Sequence, residues 1–422
     1  MCFNEQHMAL SFHGLSRGGS STKASRAVLL GIINRVDSNP SRPPFAPDNI
    51  SMIMTGIGRM NCNYVEVRQT LSKLFRLIDE CTSEFSCMNI ANVLYGLRSM
   101  TSDCPEVSDM MLAARRLVEH SRVDDYSDTY LGMMLLGLRS KYSHDDNVRE
   151  LLVAITDKYL TETRHVELMA LSGLGGLHHC HPEAKAFVDK LEVIPASDNQ
   201  DTPANLSYAL VGLLGLLSKD FPKSIDLLRG VVNRTSALLE STDMCCVSQR
   251  NSATKVWRSL ACVLTKEEDL PQDIVEVIKR SMSSLQSNVM HLEPIQYATD
   301  NEHSIVINSR ISSFGKCIEQ ILDDNGLGDD YKVLTLVYYH GFKADIIVAQ
   351  RVPETGTHRN VYNFEFSYKH PHVNRMKYFA QSRDDYLQSA QDGFHVVREM
   401  YSGEFSDDYI REYLSQRMHS VG

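Results

Sequence analysis

The chain has 422 residues, and its 43 Lys and Arg against 53 Asp and Glu give a formal net charge of -10. This acidic balance argues against a general, sequence-independent polyanion binder, so any contact with RNA needs a local basic face. No apolar run reaches 18 residues, so neither a membrane-spanning helix nor a membrane partner is expected. Ten cysteines without a CxxC pair favour a reducing compartment over secretion.

The first ten residues, Met1 to Leu10, are typical of neither a signal peptide nor an Arg-rich organellar transit peptide. A helical pattern is already present there, so we expect the natural N-terminus to be incomplete. Localisation therefore cannot be inferred from this end.

A short segment with a central glycine recurs along the first half of the chain. Each glycine is followed by Leu or Ile, and apolar residues stand two and six positions before it. The glycines, 39 to 42 residues apart, are Gly14, Gly56, Gly96, Gly137, Gly176 and Gly215. Glycine inside a helix costs about 1 kcal/mol relative to alanine. We interpret these glycines as points where a neighbouring helix approaches too closely for a Cβ; the alternative is that they cap helix ends.

A second amphipathic helix follows each glycine segment. Its apolar residues recur at helical spacing, as in 107–117 and 148–159, and a proline opens it at Pro105, Pro182 and Pro222. Neither helix can bury its stripe alone, so the units are expected to stack into an α-solenoid over residues 1–326. Six units are clear to about residue 242. Degenerate helices follow, the first marked by Val256, Leu260 and Val263, with Ser259 in place of the glycine, and a closing helix is expected over 305–322.

The period changes after residue 326. Short β-branched or aromatic runs occupy 333–339, 344–349, 361–366 and 394–400, and a helical pattern covers 375–390 before the last run. The order β-β-β-α-β predicts a small α/β domain over residues 330–422, with a final helix over 407–418.

These landmarks resemble the RAP domain, a small C-terminal module of FAST-kinase-like and octotricopeptide-repeat proteins. The matching residues are Asp345 in ADIIV, Glu365 in NFEF, the run 383–387 (RDDYL) and the run 393–397 (GFHVV). The resemblance covers roughly residues 330–402, and the helical array is similar to the repeats that precede RAP domains. It implies a restriction-nuclease-like fold and a role with RNA in mitochondria, or alternatively plastids, in RNA maturation, translation or ribosome assembly.

Restriction-type folds place an Asp on one strand and Glu-x-Lys on the next, so that the carboxylates hold a divalent cation and the lysine polarises water. Asp345 and Glu365 occupy such strand positions, but the lysine position is Ser367. Lys369, two residues further on with the same strand parity, is the substitute candidate. We expect a vestigial site without catalysis, metal or cofactor; a metal-dependent RNA endonuclease is an alternative.

A locally basic stretch lies between His358 and Arg383, with Glu365 as its single acid. Cations reach phosphates and aromatic rings stack on unpaired bases, so the stretch predicts an RNA contact. Its candidate residues are Arg359, Lys369, Arg375, Lys377, Arg383 and Tyr368. The alternative is a solvated helix face.

Arg98, Arg139 and His178 share the second position after the glycine. Such a column can line the inner face of a solenoid and contact RNA bases, or it can be the ordinary solvent side. The run 178–181 (HHCH) looks like a metal cluster, but four contiguous residues cannot converge on one ion.

Together these patterns favour a non-catalytic RNA-binding protein, most specifically a mitochondrial ribosome subunit or an rRNA-binding assembly factor. Its partners would be rRNA and ribosomal or other ribonucleoprotein proteins. A HEAT-like protein-interaction scaffold without RNA is the alternative.

Overall fold

The computed structural model describes residues 5–15, 22–37, 45–122, 126–193, 202–241, 247–289, 331–339, 342–351, 358–368 and 395–401, with a few residues between 315 and 328. The described chain is mainly helical, as predicted. Within it, no helix is both long and apolar enough to cross a lipid bilayer.

Fourteen α-helices of the described chain alternate between two layers. The first layer holds the odd-numbered helices, α1 (Glu5–Leu15), α3 (Pro47–Ile57), α5 (Cys87–Tyr95), α7 (Asp128–Leu138), α9 (Leu168–Leu171), α11 (Pro203–Leu213) and α13 (Val247–Leu264). The second layer holds α2 (Lys23–Asp37), α4 (Val65–Glu80), α6 (Pro105–His120), α8 (Asp146–Tyr159), α10 (Pro182–Asp189), α12 (Pro222–Ser241) and α14 (Gln272–Val289). Each helix packs on the next helix of its own layer. Consecutive helices, α1 with α2 and so on, are called helix pairs below.

The apolar stripes predicted for the second helices form the core between the layers. In α8 the side chains of Val148, Leu151, Leu152 and Ile155 are all buried, and the stripe of α6 is buried in the same way. The prolines at the starts of α6, α10 and α12 take the first helical turn, where no amide donor is needed. The residues that marked the predicted degenerate unit, Val256, Leu260 and Val263, lie in α13 and are buried.

Backbones in the first layer approach each other at the glycines. A Cβ added to Gly56 would lie 2.6 Å from the carbonyl carbon of Phe12, and one added to Gly137 would lie 2.9 Å from the Cβ of Leu94. Real Cβ atoms do not approach this closely, so the interpretation as close-approach positions is confirmed for these two glycines. At Gly14 it is wrong, because nothing described lies within 4 Å of an added Cβ.

Gly96 makes the same kind of contact, since an added Cβ would lie 2.5 Å from the carbonyl carbon of Met54. It stands at the C-cap of α5, but its φ of -60° is right-handed. A left-handed cap, the usual reason for a C-terminal glycine, therefore does not apply here. Gly56 and Gly137 lie in the last turn of their helices, so these glycines are terminal in position but serve packing.

The glycine alignment is wrong in the fifth and sixth helix pairs. Gly173 and Gly212, three residues before the predicted Gly176 and Gly215, make the equivalent contacts. An added Cβ would lie 3.1 Å from the Cα of Leu135 at Gly173, and 2.7 Å from the carbonyl carbon of Leu171 at Gly212. Gly176 packs instead against the carbonyl carbon of Lys141, at 2.7 Å from an added Cβ, and the carbonyl of Gly215 accepts a hydrogen bond from the amide of His179.

The fifth pair differs because its first helix is short. After four α-helical residues the chain continues as a 3-10 helix, Ser172–Gly176, whose three glycines disfavour a regular α-helix. Two short parallel strands, β1 (Arg164–Val166) and β2 (Leu191–Val193), enclose this pair. The prediction of an ordinary helix–turn–helix is therefore wrong at this point.

Hydrogen bonds join the turns within successive helix pairs, along what we call the turn edge. The amide of Tyr142 donates to Ser102 Oγ at 3.0 Å, and the amide of His178 donates to Ser143 Oγ at 2.9 Å. Backbone bonds run in the opposite direction, from Ser102 N to Ser140 O and from Ser143 N to Gly176 O. The turn edge is thus a continuous polar connection between neighbouring pairs.

Ion pairs join successive helices of the second layer. Those with normal distances are Arg26–Glu66 at 3.3 Å, Arg68–Glu106 at 3.9 Å, Arg116–Asp79 at 3.1 Å, Arg149–Glu183 at 3.9 Å and Arg229–Asp273 at 3.2 Å. Arg115 also pairs with Glu150. Much of the positive charge of this layer is therefore neutralised within the chain.

Four strands follow the helices: β3 (Tyr331–Tyr339), β4 (Phe342–Arg351), β5 (His358–Tyr368) and β6 (His395–Tyr401). They form one sheet in chain order, antiparallel from β3 to β5 and parallel between β5 and β6. The first three predicted strand runs lie within β3 to β5, and β6 covers the fourth from His395. A parallel pair needs a long connection, usually a helix. The predicted helix 375–390 and tail helix 407–418 lie outside the described residues, as does most of the predicted closing helix 305–322.

Candidate nucleic-acid interface

Arg98 follows α5 and folds back on its own helix. Its guanidinium carbon lies 3.9 Å from the ring centroid of Tyr95, and its Nη1 donates to the carbonyl of Tyr95 at 2.8 Å. Gly58 of the preceding pair makes room for this side chain, because an added Cβ there would lie 2.9 Å from the Arg98 Cζ. Tyr95 is the last residue of α5 and Arg98 lies in the turn that follows, so the arginine side chain reaches back over the ring.

Arg139, at the C-cap of α7, also meets an aromatic ring, but from a distant part of the sequence. Its guanidinium carbon lies 5.3 Å from the ring centroid of Tyr208 in α11, two helix pairs further on. Both rings are half-buried, as are both arginines. The first layer therefore presents two cation–aromatic pairs.

Neither arginine interacts with a carboxylate among the described residues. Burial lowers the pKa of Arg98 from its ordinary value, opposed by Tyr95, and the nearby Arg59 lowers it further. Burial also lowers the pKa of Arg139, opposed by Tyr208. An arginine remains charged at neutral pH, so these are partly desolvated cations that an anion would stabilise.

Lys141, two residues after Arg139, adds a third positive charge, but its side chain lies inside the protein. Its side chain is fully buried, and its Nζ donates to the carbonyls of Leu97 at 2.8 Å, Met100 at 2.6 Å and Arg139 at 3.1 Å. The residue before it, Ser140, has a φ of 67°, a backbone conformation that non-glycine residues adopt at some cost. Lys141 thus fastens the turn of the fourth helix pair to the turn of the third.

The side chains next to these arginines on the first layer are mostly uncharged. The position four residues before each close-approach glycine is partly or fully exposed. Its occupants are Met52, Asn92, Met133, Met169 and Tyr208. Stacking and apolar contact, rather than a dense field of charge, would therefore dominate binding to this face.

The run His178–His181 is not arranged around an ion. The rings of His178 and His179 stack at 4.4 Å, and His178 Nδ1 accepts the amide hydrogen of Cys180 at 3.2 Å. Burial, followed by the neighbouring histidines, lowers the pKa of His178 to about 4, so its ring is neutral at pH 7. In the part of the chain that the structure describes, no three His, Cys, Asp or Glu side chains could hold a metal ion.

The strand register brings Asp345 and Glu365 to neighbouring positions. Ile346 of β4 pairs with Phe364 of β5, and the two acidic residues directly flank that pair. Glu365 also pairs in register with Arg398 of β6, a residue that the sequence analysis did not single out. The pairing of β5 with β6, across 26 intervening residues, has no signal in the sequence.

The other predicted RNA contacts of the C-terminal segment are only partly placed. Arg359 pairs in register with Gln350, and Tyr368 pairs with Tyr401. Lys369, Arg375, Lys377 and Arg383 lie outside the described residues.

Two residues of the candidate interface were missed in the sequence. Tyr95 carried a usable signal, since it ends α5 only three residues before Arg98. Tyr208 carried none, because its contact with Arg139 spans two helix pairs and depends on how they stack.

Comparison with known proteins adds no family or function. The chain matches no protein-family model. No curated protein sequence matches it significantly either.

Proposed function

We propose that this chain is a non-catalytic RNA-binding protein. Its helix pairs would be repeats of about 40 residues forming an α-solenoid over residues 1–326, followed by a RAP-like, restriction-nuclease-like α/β domain over 330–422. The stacked layers, the glycine contacts and the four-strand register support this architecture.

One observation carries the proposal of RNA binding. Arg98 and Arg139 are half-buried, lie over tyrosine rings and interact with no described carboxylate. Several arginines of the second layer, by contrast, are ion-paired within the chain, among them Arg26, Arg116 and Arg229. A cation beside an aromatic ring suits a single-stranded nucleic acid, since the cation meets phosphate and the ring stacks on a base.

The overall charge of -10 favours one setting for such a protein. An acidic body binds RNA poorly along its whole length, but it can serve as a fixed component of a particle whose other proteins are basic. We therefore place the chain in a ribonucleoprotein, specifically as a mitochondrial ribosome subunit or an rRNA-binding assembly factor, with a plastid as the alternative compartment.

Binding of fluorescently labelled single-stranded RNA to the full chain, followed by anisotropy over a salt series, tests the proposal. The double variant Arg98→Ala/Arg139→Ala should bind about tenfold or more weakly, with the salt slope reduced by about 1.4, since each phosphate contact contributes about 0.7 for single strands. The matched control is Arg115→Ala/Arg116→Ala, which removes the same charge from the second layer. Equal weakening in both doubles, or no binding by the parent chain, would overturn the assignment.

The proposed membership of a ribonucleoprotein particle is tested by recovering the full chain from its source and identifying what sediments with it. Co-sedimentation with rRNA and ribosomal proteins that survives high salt supports the ribosomal placement. Recovery with protein partners alone supports a HEAT-like interaction scaffold instead. The scaffold is the second candidate because the exposed Met169 and its uncharged neighbours would also suit an apolar protein partner.

A metal-dependent RNA endonuclease is the third candidate. It is favoured by the neighbouring register positions of Asp345 and Glu365. RNA cleavage that requires a divalent cation and disappears in Asp345→Ala would establish it, whereas we expect no cleavage by the parent chain.

A further inference from the structure

The turn edge contains one position that recurs from pair to pair and accepts a hydrogen bond. Ser102 and Ser143 each stand two residues before the N-cap of a second-layer helix. Ser102 Oγ accepts a hydrogen bond from the amide of Tyr142, and Ser143 Oγ accepts one from the amide of His178. Each donor stands three residues before the N-cap of the following second-layer helix. This position therefore holds a side chain against a fixed backbone donor.

In the second helix pair a cysteine takes this position. Cys62 stands two residues before Tyr64, the N-cap of α4, and the amide of Thr101, three before the next N-cap, donates to its sulfur. Cys62 is 1% exposed. A sulfur held by a fixed N–H is better placed to carry negative charge than a thiol in an apolar core.

A second thiol lies against the first. Cys104 is the N-cap of α6, is 8% exposed, and its side chain hydrogen-bonds with that of Cys62. Its Sγ also lies 3.0 Å from Glu106 Oε2, a second acceptor for the single Cys104 proton, while the other carboxylate oxygen of Glu106 lies 3.9 Å from Arg68 Nε. One thiol thus has donors around it and the other has a carboxylate acceptor.

The electrostatics of the two thiols differ accordingly. The hydrogen bond from Cys104 lowers the pKa of Cys62 to about 6, helped by the Thr101 amide and the buried charge of Lys141, and opposed by burial. The pKa of Cys104 is raised, first by its hydrogen bond to Cys62 and then by burial and Glu106. Of the two thiols, Cys62 is therefore the one that loses its proton more readily, and Cys104 the one that keeps it.

We propose that Cys62 and Cys104 are a peroxide-reactive thiol pair that closes to a disulfide joining the second and third helix pairs. This inference does not rest on RNA binding. It assigns a modification site to two residues that lie 42 positions apart and meet only through stacking of the turns.

The chemistry balances with a hydroperoxide as the oxidant. The Cys62 thiolate attacks the peroxide oxygen, the O–O bond breaks, and Cys62 becomes a sulfenic acid while hydroxide leaves. Glu106 accepts the Cys104 proton, and the new thiolate attacks the Cys62 sulfur to form the S–S bond. The second hydroxide takes the proton from Glu106 and leaves as water. The two thiols lose two electrons, and the peroxide gains them.

The test treats the folded full chain with hydrogen peroxide and maps its peptides without reduction. We expect a Cys62–Cys104 cross-linked peptide and a rise in melting temperature that dithiothreitol reverses, because the bond closes a long loop. Cys62→Ser and Cys104→Ser should abolish both, whereas Cys262→Ser, at a buried cysteine elsewhere, should change neither. If Cys62 and Cys104 stay reduced while the exposed Cys180 is oxidised, the proposal fails.

Two further variants separate the steps without removing the fold. In Cys104→Ser the first step is retained, so a sulfenic-acid-trapping dione should label Cys62. In Glu106→Gln the base is lost, so closure should slow by about tenfold or more while labelling of Cys62 increases. Unchanged closure in Glu106→Gln together with an unlabelled Cys62 would show that the pair does not react in this order.

Discussion

Neighbouring helices contact each other through different groups in the two helix layers. In the first layer, backbones meet at glycines, and the position four residues before each of these glycines carries an uncharged side chain. In the second layer, buried stripes face the core and arginine–carboxylate pairs connect neighbouring helices at the surface. One sequence unit therefore encodes a face built on glycine contacts and a face built on paired charges.

This difference indicates where binding energy is available. A surface whose cations are already paired gains little from an added anion, because the existing pair must first be broken. Arg98 and Arg139, half-buried over tyrosine rings, have no such competitor among the described residues. The layer with fewer charges is thus the better candidate for ligand binding, contrary to what a count of charged residues would suggest.

The largest loss of stability is expected at a close approach between backbones of the first layer. Gly137→Ala should lower the free energy of unfolding by about 3 kcal/mol, because the new Cβ would meet the backbone and Cβ of Leu94. Urea unfolding followed by circular dichroism measures it. Gly230→Ala in α12 of the second layer is the control, since nothing lies within 4 Å of its added Cβ, and it should stabilise by about 0.5 to 1 kcal/mol. Similar effects at both sites would remove the distinction between the layers.

A smaller loss is expected at the buried cation of the turn edge. Lys141→Met should cost about 2 kcal/mol, because the carbonyls of Leu97 and Met100 lose a charged donor. Lys158→Met is the matched control, since its amine donates at the surface to the carbonyl of Glu119. The same unfolding experiment applies, and a neutral Lys141→Met would mean that the turn edge adds nothing to stability.

The ion pairs of the second layer should contribute less again. A double-mutant cycle on Arg26 and Glu66, whose side chains are 17% and 22% exposed, should give a coupling of about 1 kcal/mol. The pair Arg116–Asp79, 49% and 44% exposed, should give about 0.3 kcal/mol, because solvent screens it. Equal coupling energies for the two ion pairs would argue against screening by solvent as the factor that sets their strength.

The smallest effect is a pH dependence at the turn edge. Burial lowers the pKa of His178 from 6.5 to about 4, so the unfolded chain binds its proton more tightly than the folded chain. The stability contributed by the neutral ring is present above pH 6.5 and is lost as the pH falls from 6.5 towards 4. His178→Gln should flatten the melting-temperature profile in that window, and an unchanged slope would contradict this account.

Much of the local structure followed from periodicity in the sequence. The stripe of α8 and the prolines of α6 and α10 marked the second helices because helical spacing alone decides which residues share a face. The close approach at Gly56 and Gly137 could be inferred because glycine costs stability inside a helix, so its aligned recurrence favours a packing constraint. The 3-10 turn of the fifth helix pair could not be inferred from the sequence. The close-approach glycine is shifted there by three residues, and that shift leaves the leucine spacing nearly the same.

The candidate sites could likewise be predicted from the sequence only in part. Cys62 and Cys104 stand one repeat apart, so their meeting was in principle foreseeable, but the donor from Thr101 and the acceptor on Glu106 depend on how the turns stack. Asp345 and Glu365 were chosen by strand parity, whereas the pairing of Glu365 with Arg398 depends on a parallel register that no local pattern specifies.

The sequence by itself determined the alternation of helices, their buried faces and the need for glycine in the first layer. These are properties of a single helix and its immediate neighbour, encoded within about 40 residues. Only the tertiary structure decided which glycines meet a backbone, which ring receives Arg139 and which carbonyls hold Lys141. Those contacts join residues of different helix pairs, and their geometry depends on the rotation and offset between pairs, which hydrophobic spacing within one pair does not fix.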